Sequence, residues 1–320
     1  MALEPAKFYD DLADGPAGGQ AWWVTTKDNV RIRIGGWQRE DAKGTVLLFD
    51  GRSEYIEKYG RNAKDFLANG YNLLSIDWRG QGLADRLTKD PAAGHVCDFP
   101  DYQNDVKAMM DHAEELGFNG PYFLIGHSMG GLIANRSIAE GLSVQAVAFS
   151  SPMWGVIIPR ALRPFAKLIA STAVSFGKGH SYVLTGSSDN YIDTAEFEDN
   201  ELTNDPEMWD YLRNQVRAVP EFALGSPTMK WLFKAFEEFD FMHGSKAPNL
   251  PCITFLGTDE KIVHPDKIRQ RMAKWPGSKL VEIPGGRHEM LMDTPELREK
   301  IANDICAFFD EHREVEHRAA

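Results

Sequence analysis

The sequence predicts an α/β fold: a mostly parallel central sheet flanked by helices on both faces, with a helical insertion. Three features carry this expectation. Short, continuously apolar runs end in glycine or other turn residues, as strands buried on both faces do. Amphipathic helical stretches alternate with them. The alternation stops between Trp154 and Ser245 and resumes afterwards.

The first element differs from the rest. Ala21 to Gln38 contains WWVTTKDNVRIRIGGW, whose alternating apolar and polar positions around Asp28-Asn29 predict an antiparallel hairpin. TVLLFDG (Thr45 to Gly51) is the first buried strand, with a helix to follow over Ile56 to Asn69. NLLSIDWRGQG (Asn72 to Gly82) gives a second strand with its turn, and Asp101 to Leu116 a second helix. PYFLIGHSMGG gives a third strand leading to a helix from Leu132, and VQAVAFSSP a fourth strand. PCITFLGTDE and SKLVEIPGG repeat the pattern, and a helix over Glu296 to His312 closes it. The α/β core expected from this rhythm spans 1–153 and 246–320, with 154–245 as a helical cap, or lid. Inside the cap, WLFKAFEEFDFM (Trp231 to Met242) is helix-compatible but apolar on more than one side. That fits a helix buried between cap and core, and equally a cap whose inner face supplies an apolar pocket.

Bulk properties narrow the function. The chain has 320 residues, 43% hydrophobic and 26% charged, which suits an ordinary globular protein with a sizeable core. A net charge of -12 disfavours nucleic-acid partners and tight docking on anionic lipid, leaving at most weak peripheral membrane contact. Cys97, Cys252 and Cys306 are far apart without CxxC spacing, so they read as small buried hydrophobes rather than disulfides or metal ligands. The opening MALEPAKFYDDLADGPAGG has neither a basic nor an apolar leader region, and no apolar run is long enough to span a bilayer. A cytoplasmic location is expected.

Gly126-His127-Ser128-Met129-Gly130 follows the strand run YFLI and precedes a helix, the context of a G-x-S-x-G nucleophile elbow. The serine lies on a sharp turn, and side chains at Gly126 or Gly130 would collide with neighbouring backbone. Gly131 gives the helix further clearance. GxSxG arises readily by chance in a chain with 28 glycines, so the strand–helix context and the downstream partners carry the weight. A serine hydroxyl needs a base in hydrogen-bond reach, and in this architecture the order is Ser, acid, His. FLGTDEKIV places Asp259 just past a strand, and PGGRHEML places His288 on a Gly-rich loop after the next one. Glu260 is the closest rival to Asp259 as the acid, and Asp293, after the histidine, is a weaker one. His264, His312 and His317 fit less well than His288. Donors for an oxyanion are expected from the backbone N–H of Met129 and from the loop Asp50-Gly51-Arg52, with the N–H of Arg52 as candidate and a plain turn at Gly51 as the simpler reading.

These residues resemble the lysophospholipase and monoacylglycerol-lipase branch of the α/β-hydrolases, with bacterial lysophospholipase L2-like proteins nearest in pattern. The resemblance rests on GRSEYIEKYG (Gly51 to Gly60), DWRGQG (Asp77 to Gly82), GHSMGG (Gly126 to Gly131), GTDEKIV (Gly257 to Val263) and GGRHEML (Gly285 to Leu291). It implies Ser128, Asp259 and His288 as the triad, Arg52 and Met129 as the oxyanion pair, and a carboxylic-ester substrate with one long acyl chain. It departs at Asp50, where many relatives have histidine, and at Leu83-Ala84, where many have serine. A carboxylate there is unfavourable beside a developing oxyanion unless it is turned away or neutralised, for instance by Arg52.

The reaction expected is hydrolysis of a small or single-chain lipid ester through an acyl-enzyme, with no cofactor and no metal. Two alternatives use the same fold. One is a small-acyl carboxylesterase. The other is an aminopeptidase of the proline-iminopeptidase type, for which the acidic run Glu196 to Glu201 is the candidate amine site, with a solvated acidic loop as the simpler reading. A dehalogenase would carry a carboxylate in place of Ser128. A non-catalytic receptor on this fold would typically have lost a triad member.

Overall fold

The computed structural model describes residues 3–313 apart from Arg160 and Arg163. In chain order the elements are β1 (Glu4–Ala6), α1 (Asp10–Ala13), β2 (Gln20–Thr25), β3 (Arg31–Trp37), β4 (Thr45–Phe49), α2 (Gly60–Ala68), β5 (Asn72–Asp77), α3 (Tyr102–Ala113), β6 (Tyr122–His127), α4 (Met129–Ala139) and β7 (Val147–Ser150). Then come α5 (Ala166–Ser175), α6 (Tyr191–Thr194), α7 (Pro206–Ala218), α8 (Met229–Gly244), β8 (Cys252–Gly257), α9 (Pro265–Met272), β9 (Lys279–Ile283) and α10 (Pro295–Glu311). The nine strands form one sheet in the order β1-β2-β3-β5-β4-β6-β7-β8-β9. β4 to β9 run parallel, and β1 to β3 form the antiparallel edge. No helix among the described residues is long and apolar enough to cross a membrane.

The hairpin forms as expected. Its turn is closed by Thr26, whose hydroxyl donates to Asp28 at 2.6 Å and accepts from the Val30 N–H at 3.1 Å. The inner strands β4, β5, β7 and β8 are buried at every position. Their side chains divide with a period of two. Leu47, Phe49, Leu74 and Leu124 join one core with α3, α4 and α8, while Val46, Leu48, Leu73 and Ile125 join the other with α2 and α10. Helix ends follow their caps: Thr228 opens α8, and Thr294 followed by Pro295 opens α10.

The stretch between β7 and β8 carries helices α5 to α8 joined by loops, and its described residues form no strand beyond isolated bridges. Trp231, Ala235, Phe239 and Met242 of α8 belong to the same core as the sheet, and Met208 and Leu212 of α7 belong to the other. The two-sided apolar character of WLFKAFEEFDFM therefore has a packing cause, since α8 packs against both α4 and α5.

What positions the site is the reversal of strand order around β4, whose neighbours are β5 on one side and β6 on the other. Loops leaving the carboxyl ends of β4 and β6 diverge there and leave a crevice. The loop after β4 is anchored from below by a buried ion cluster. Arg33 on β3 reaches Asp77 at 2.8 Å and Glu57 at 2.5 Å, and Asp77 also accepts the Ile56 N–H at 3.0 Å. Helix α4 starts three residues earlier than its pattern suggested, directly after Ser128. Its first turn is pressed onto β4, because a Cβ at Gly130 would lie 2.0 Å from the Phe49 carbonyl oxygen. Gly130→Ala should therefore force the helix and strand apart, costing roughly 3 kcal/mol or more as overpacking against backbone does. Urea unfolding checks this; a midpoint equal to wild type would contradict the contact.

Candidate active site

Ser128 occupies the junction of β6 and α4 with φ 48° and ψ −117°, a strained conformation held by its surroundings. Its N–H donates to the Ser150 carbonyl at 3.1 Å, and its own carbonyl accepts from Met153 at 2.8 Å. The hydroxyl Oγ is 2.9 Å from His288 Nε2. On the far side of the ring, His288 Nδ1 is 2.8 Å from Glu260 Oε2. A carboxylate only accepts, so Nδ1 carries the proton and Nε2 faces the serine as an acceptor.

This geometry corrects the acid assignment. Asp259, expected opposite His288, is exposed, and its nearest side-chain partner is Thr258. Glu260 points inward instead. Successive residues after β8 face opposite ways, so only one of the two acids can reach the imidazole. Glu260 Oε1 accepts the N–H groups of Ile262 and Val263 at 2.7 and 3.0 Å, which leaves Oε2 aimed at the ring. Burial would raise the Glu260 pKa, but the His288 ring and those two N–H groups lower it to about 2. Asp293 is elsewhere, accepting from the N–H groups of Asn204 and Thr294. His264 lies at the start of α9, His312 contacts the Phe308 carbonyl, and His317 is outside the described residues.

Met129 opens α4, where first-turn N–H groups have no acceptor within the helix, and this one adjoins the serine. The opposing loop at Arg52 is fixed from two sides. Gln81, from the turn after β5, donates to the Gly51 carbonyl at 2.8 Å and accepts from the Ser53 N–H at 3.3 Å. Glu54 accepts the Gly51 N–H at 2.6 Å. The departure at Asp50 is also resolved, though not through Arg52. Asp50 is buried without a hydrogen-bond partner for its carboxyl oxygens among the described residues. Burial, with Glu54 and Asp77 nearby, pushes its pKa well up, which disfavours a negative charge on this loop.

Ser128 and His288 open into a pocket of about 600 Å³. Much of its wall is apolar, including Met153, Val156, Leu162, Ile169, Met229 and Trp231. Asp189, Glu201 and Lys261 also reach it.

The chain is similar to known proteins in sequence and in fold. The family model described as serine aminopeptidase, S33 matches residues 40–295. The chain belongs to the S33 family. Among its relatives, a probable lysophospholipase L2 of Haemophilus influenzae is 26% identical over 293 residues, covering 90% of this chain and 91% of the relative. Lysophospholipase L2 of Escherichia coli is 25% identical over 306 residues, covering 90% of this chain and 86% of its own length. A soluble variant of monoglyceride lipase from Saccharomyces cerevisiae has the same fold, with a TM-score of 0.67 at 19% identity over 98% of this chain and 97% of its own. The protein is an α/β-hydrolase of the lysophospholipase and monoacylglycerol-lipase branch, and an ester hydrolase.

Beneath the site of this S33 hydrolase lies a buried polar layer for which the sequence carried only faint signals. Lys58 donates to Glu54 at 2.8 Å and to Glu289 at 2.7 Å. His127 Nε2 is 3.3 Å from an oxygen of each. Its Nδ1 donates to the Ser150 carbonyl at 3.1 Å. Glu54 and Lys58 are one helical turn apart in SEYIEK, and Glu289 adjoins His288, which were the available hints. Glu54, His127 and Glu289 offer atoms within 4.8 Å of one another, a donor set a metal would accept. With Lys58 and a charged His127 included, however, the two carboxylates are already neutralised. Burial alone would lower the His127 pKa, but Glu289 and Glu54 raise it to about 10 from an ordinary 6.5.

Two outcomes follow from these contacts. Glu260→Gln should lower kcat/KM for an ester on the order of 10³- to 10⁴-fold by favouring the wrong imidazole tautomer, while Asp259→Asn should stay within about threefold of wild type. Steady-state kinetics on both variants decides between the two acids; the opposite ranking would restore Asp259. His127 has a folded pKa above its unfolded one, so its ion pairing stabilises fully below pH 6.5 and is lost as pH rises through about 10. The gap in unfolding free energy between wild type and His127→Gln should thus narrow from pH 7 to 10. A gap that stays constant would mean His127 is uncharged.

Proposed function

We propose that this hydrolase cleaves a single-chain lipid ester through an acyl-enzyme on Ser128. The observation that carries the reading is the Ser128–His288–Glu260 hydrogen-bonded series opening into a largely apolar pocket. Ser128 Oγ attacks the ester carbonyl while His288 Nε2 takes its proton. The oxyanion is received by the N–H groups of Met129 and Arg52. His288 returns the proton to the leaving alcohol, then activates water for deacylation, and Glu260 holds the imidazolium throughout.

The cap reading, residues 154–245 over the serine, is supported by the pocket wall that Val156 to Thr185 supply and by α5 packing on α8. Its outer side is apolar too. Phe165, Leu168, Phe176 and Leu184 are exposed, and Leu184 also lines the pocket. Such a rim suits a substrate that arrives from an aggregate. The names of the lysophospholipase relatives support the same substrate class. Asp189 and Glu201 on the pocket wall favour a second reading, an aminopeptidase whose carboxylates receive a substrate amine.

Ser128→Ala should lose on the order of 10⁴- to 10⁶-fold of esterase activity with the fold retained. Each buried methylene contributes roughly 0.8 kcal/mol, so kcat/KM on p-nitrophenyl esters should climb several-fold per two carbons from acetyl to lauroyl. The series is to be run below micelle formation, beside amino-acyl arylamides. A flat series would favour a small-acyl esterase, and faster arylamide turnover the aminopeptidase.

A further inference from the structure

Arg52 contributes its backbone to the oxyanion loop, but its side chain has a separate situation. The half-buried residue lines the pocket and donates one hydrogen bond, from Nη1 to the Gly225 carbonyl at 2.7 Å. The guanidinium stands 6.0 Å from the centre of the Trp231 ring. Among the described residues no carboxylate pairs with it, and Nε and Nη2 have no acceptor. The other basic groups of the pocket differ. Lys58 is held between Glu54 and Glu289, and Lys261 is exposed. Burial lowers the Arg52 pKa to about 10, which still leaves it charged at neutral pH. A cation half withdrawn from water and unpaired with any carboxylate is well placed to receive an anionic group of a ligand.

We propose that the Arg52 side chain is the binding site for the phosphodiester of a lysophospholipid head group. This rests on the ester-hydrolase reading above. The free Nε–Nη2 edge is the fork that pairs with two oxygens of one phosphate. Position agrees with chemistry. The Arg52 N–H receives the carbonyl oxygen, so its guanidinium is one side-chain length from the reacting carbon. In a lysophospholipid the phosphate is one glycerol unit from the ester carbonyl, a comparable span. A monoacylglycerol offers only a hydroxyl there, so the site separates two substrates that share the same acyl ester.

The test compares 1-lauroyl lysophosphatidylethanolamine with 1-lauroylglycerol, both below micelle formation, on wild type, Arg52→Met and Arg52→Lys. The readout is the ratio of kcat/KM for the phospholipid to that for the glyceride, which is insensitive to a general loss of turnover. Labelling of Ser128 by a fluorophosphonate confirms that each variant has an intact site. Arg52→Met should lower the ratio at least about tenfold, the usual worth of a charge-assisted pair, and Arg52→Lys should restore part of it. An unchanged ratio in a labelled, active variant overturns the site while the ester-hydrolase reading stands. If the ratio holds but inhibition by free laurate weakens, Arg52 receives the product carboxylate and the proposal fails. A wild type that cleaves neither ester overturns the underlying reading and the site with it.

Discussion

The site depends on one contact between two pieces of backbone, the start of α4 against the end of β4. Only a residue without a side chain at position 130 lets the helix come that close to the Phe49 carbonyl. The contact fixes three things together: the tight turn that presents Ser128, the position of the Met129 N–H, and the nearness of the Asp50–Arg52 loop. Neither strand nor helix alone would bring the donor loop to the serine. The loop in turn has no regular structure of its own, so its geometry comes from Gln81 above and Glu54 below.

Glu54 explains why so much charge is buried behind a hydrolytic site. Its carboxylate accepts from the Gly51 N–H and from Tyr59 and Lys58, and Lys58 continues to Glu289 beside the base. The Gly51–Arg52 loop, the elbow residue His127 and the histidine loop are thus tied to one nearly neutral cluster. A cluster this dry is costly to break by removing a single member, because a lone charge stays behind. That makes it a rigid floor for groups that must keep their distances.

The parts legible in the sequence were those set by local constraints. Ser128 was legible because strand, glycine spacing and helix all lie within a dozen residues. His288 stood out through its place after the next strand on a Gly-rich loop. The hairpin and the inner strands were legible because period-two patterns and continuous apolar runs report burial directly. The acid was not. Asp259 and Glu260 are neighbours, and choosing between them requires the direction of each side chain after β8, which strand position alone does not give. The effect of Asp50 was left open by the sequence, because the burial that raises its pKa depends on the assembled loops. Arg52 donates to the Gly225 carbonyl rather than to Asp50. The helix at Trp231 to Met242 left two readings open, and its packing against α4 was visible only once the sheet was assembled.

The backbone angle at Ser128 has a consequence beyond presenting the hydroxyl. A positive φ is tolerable for a residue with one substituent on Cβ but severe for a branched one. Threonine carries the same functional group and in free solution would be a comparable nucleophile. At this turn its β-branching would add to the strain of the positive φ. The choice of serine over threonine is therefore made by conformation, and chemistry has no vote in it.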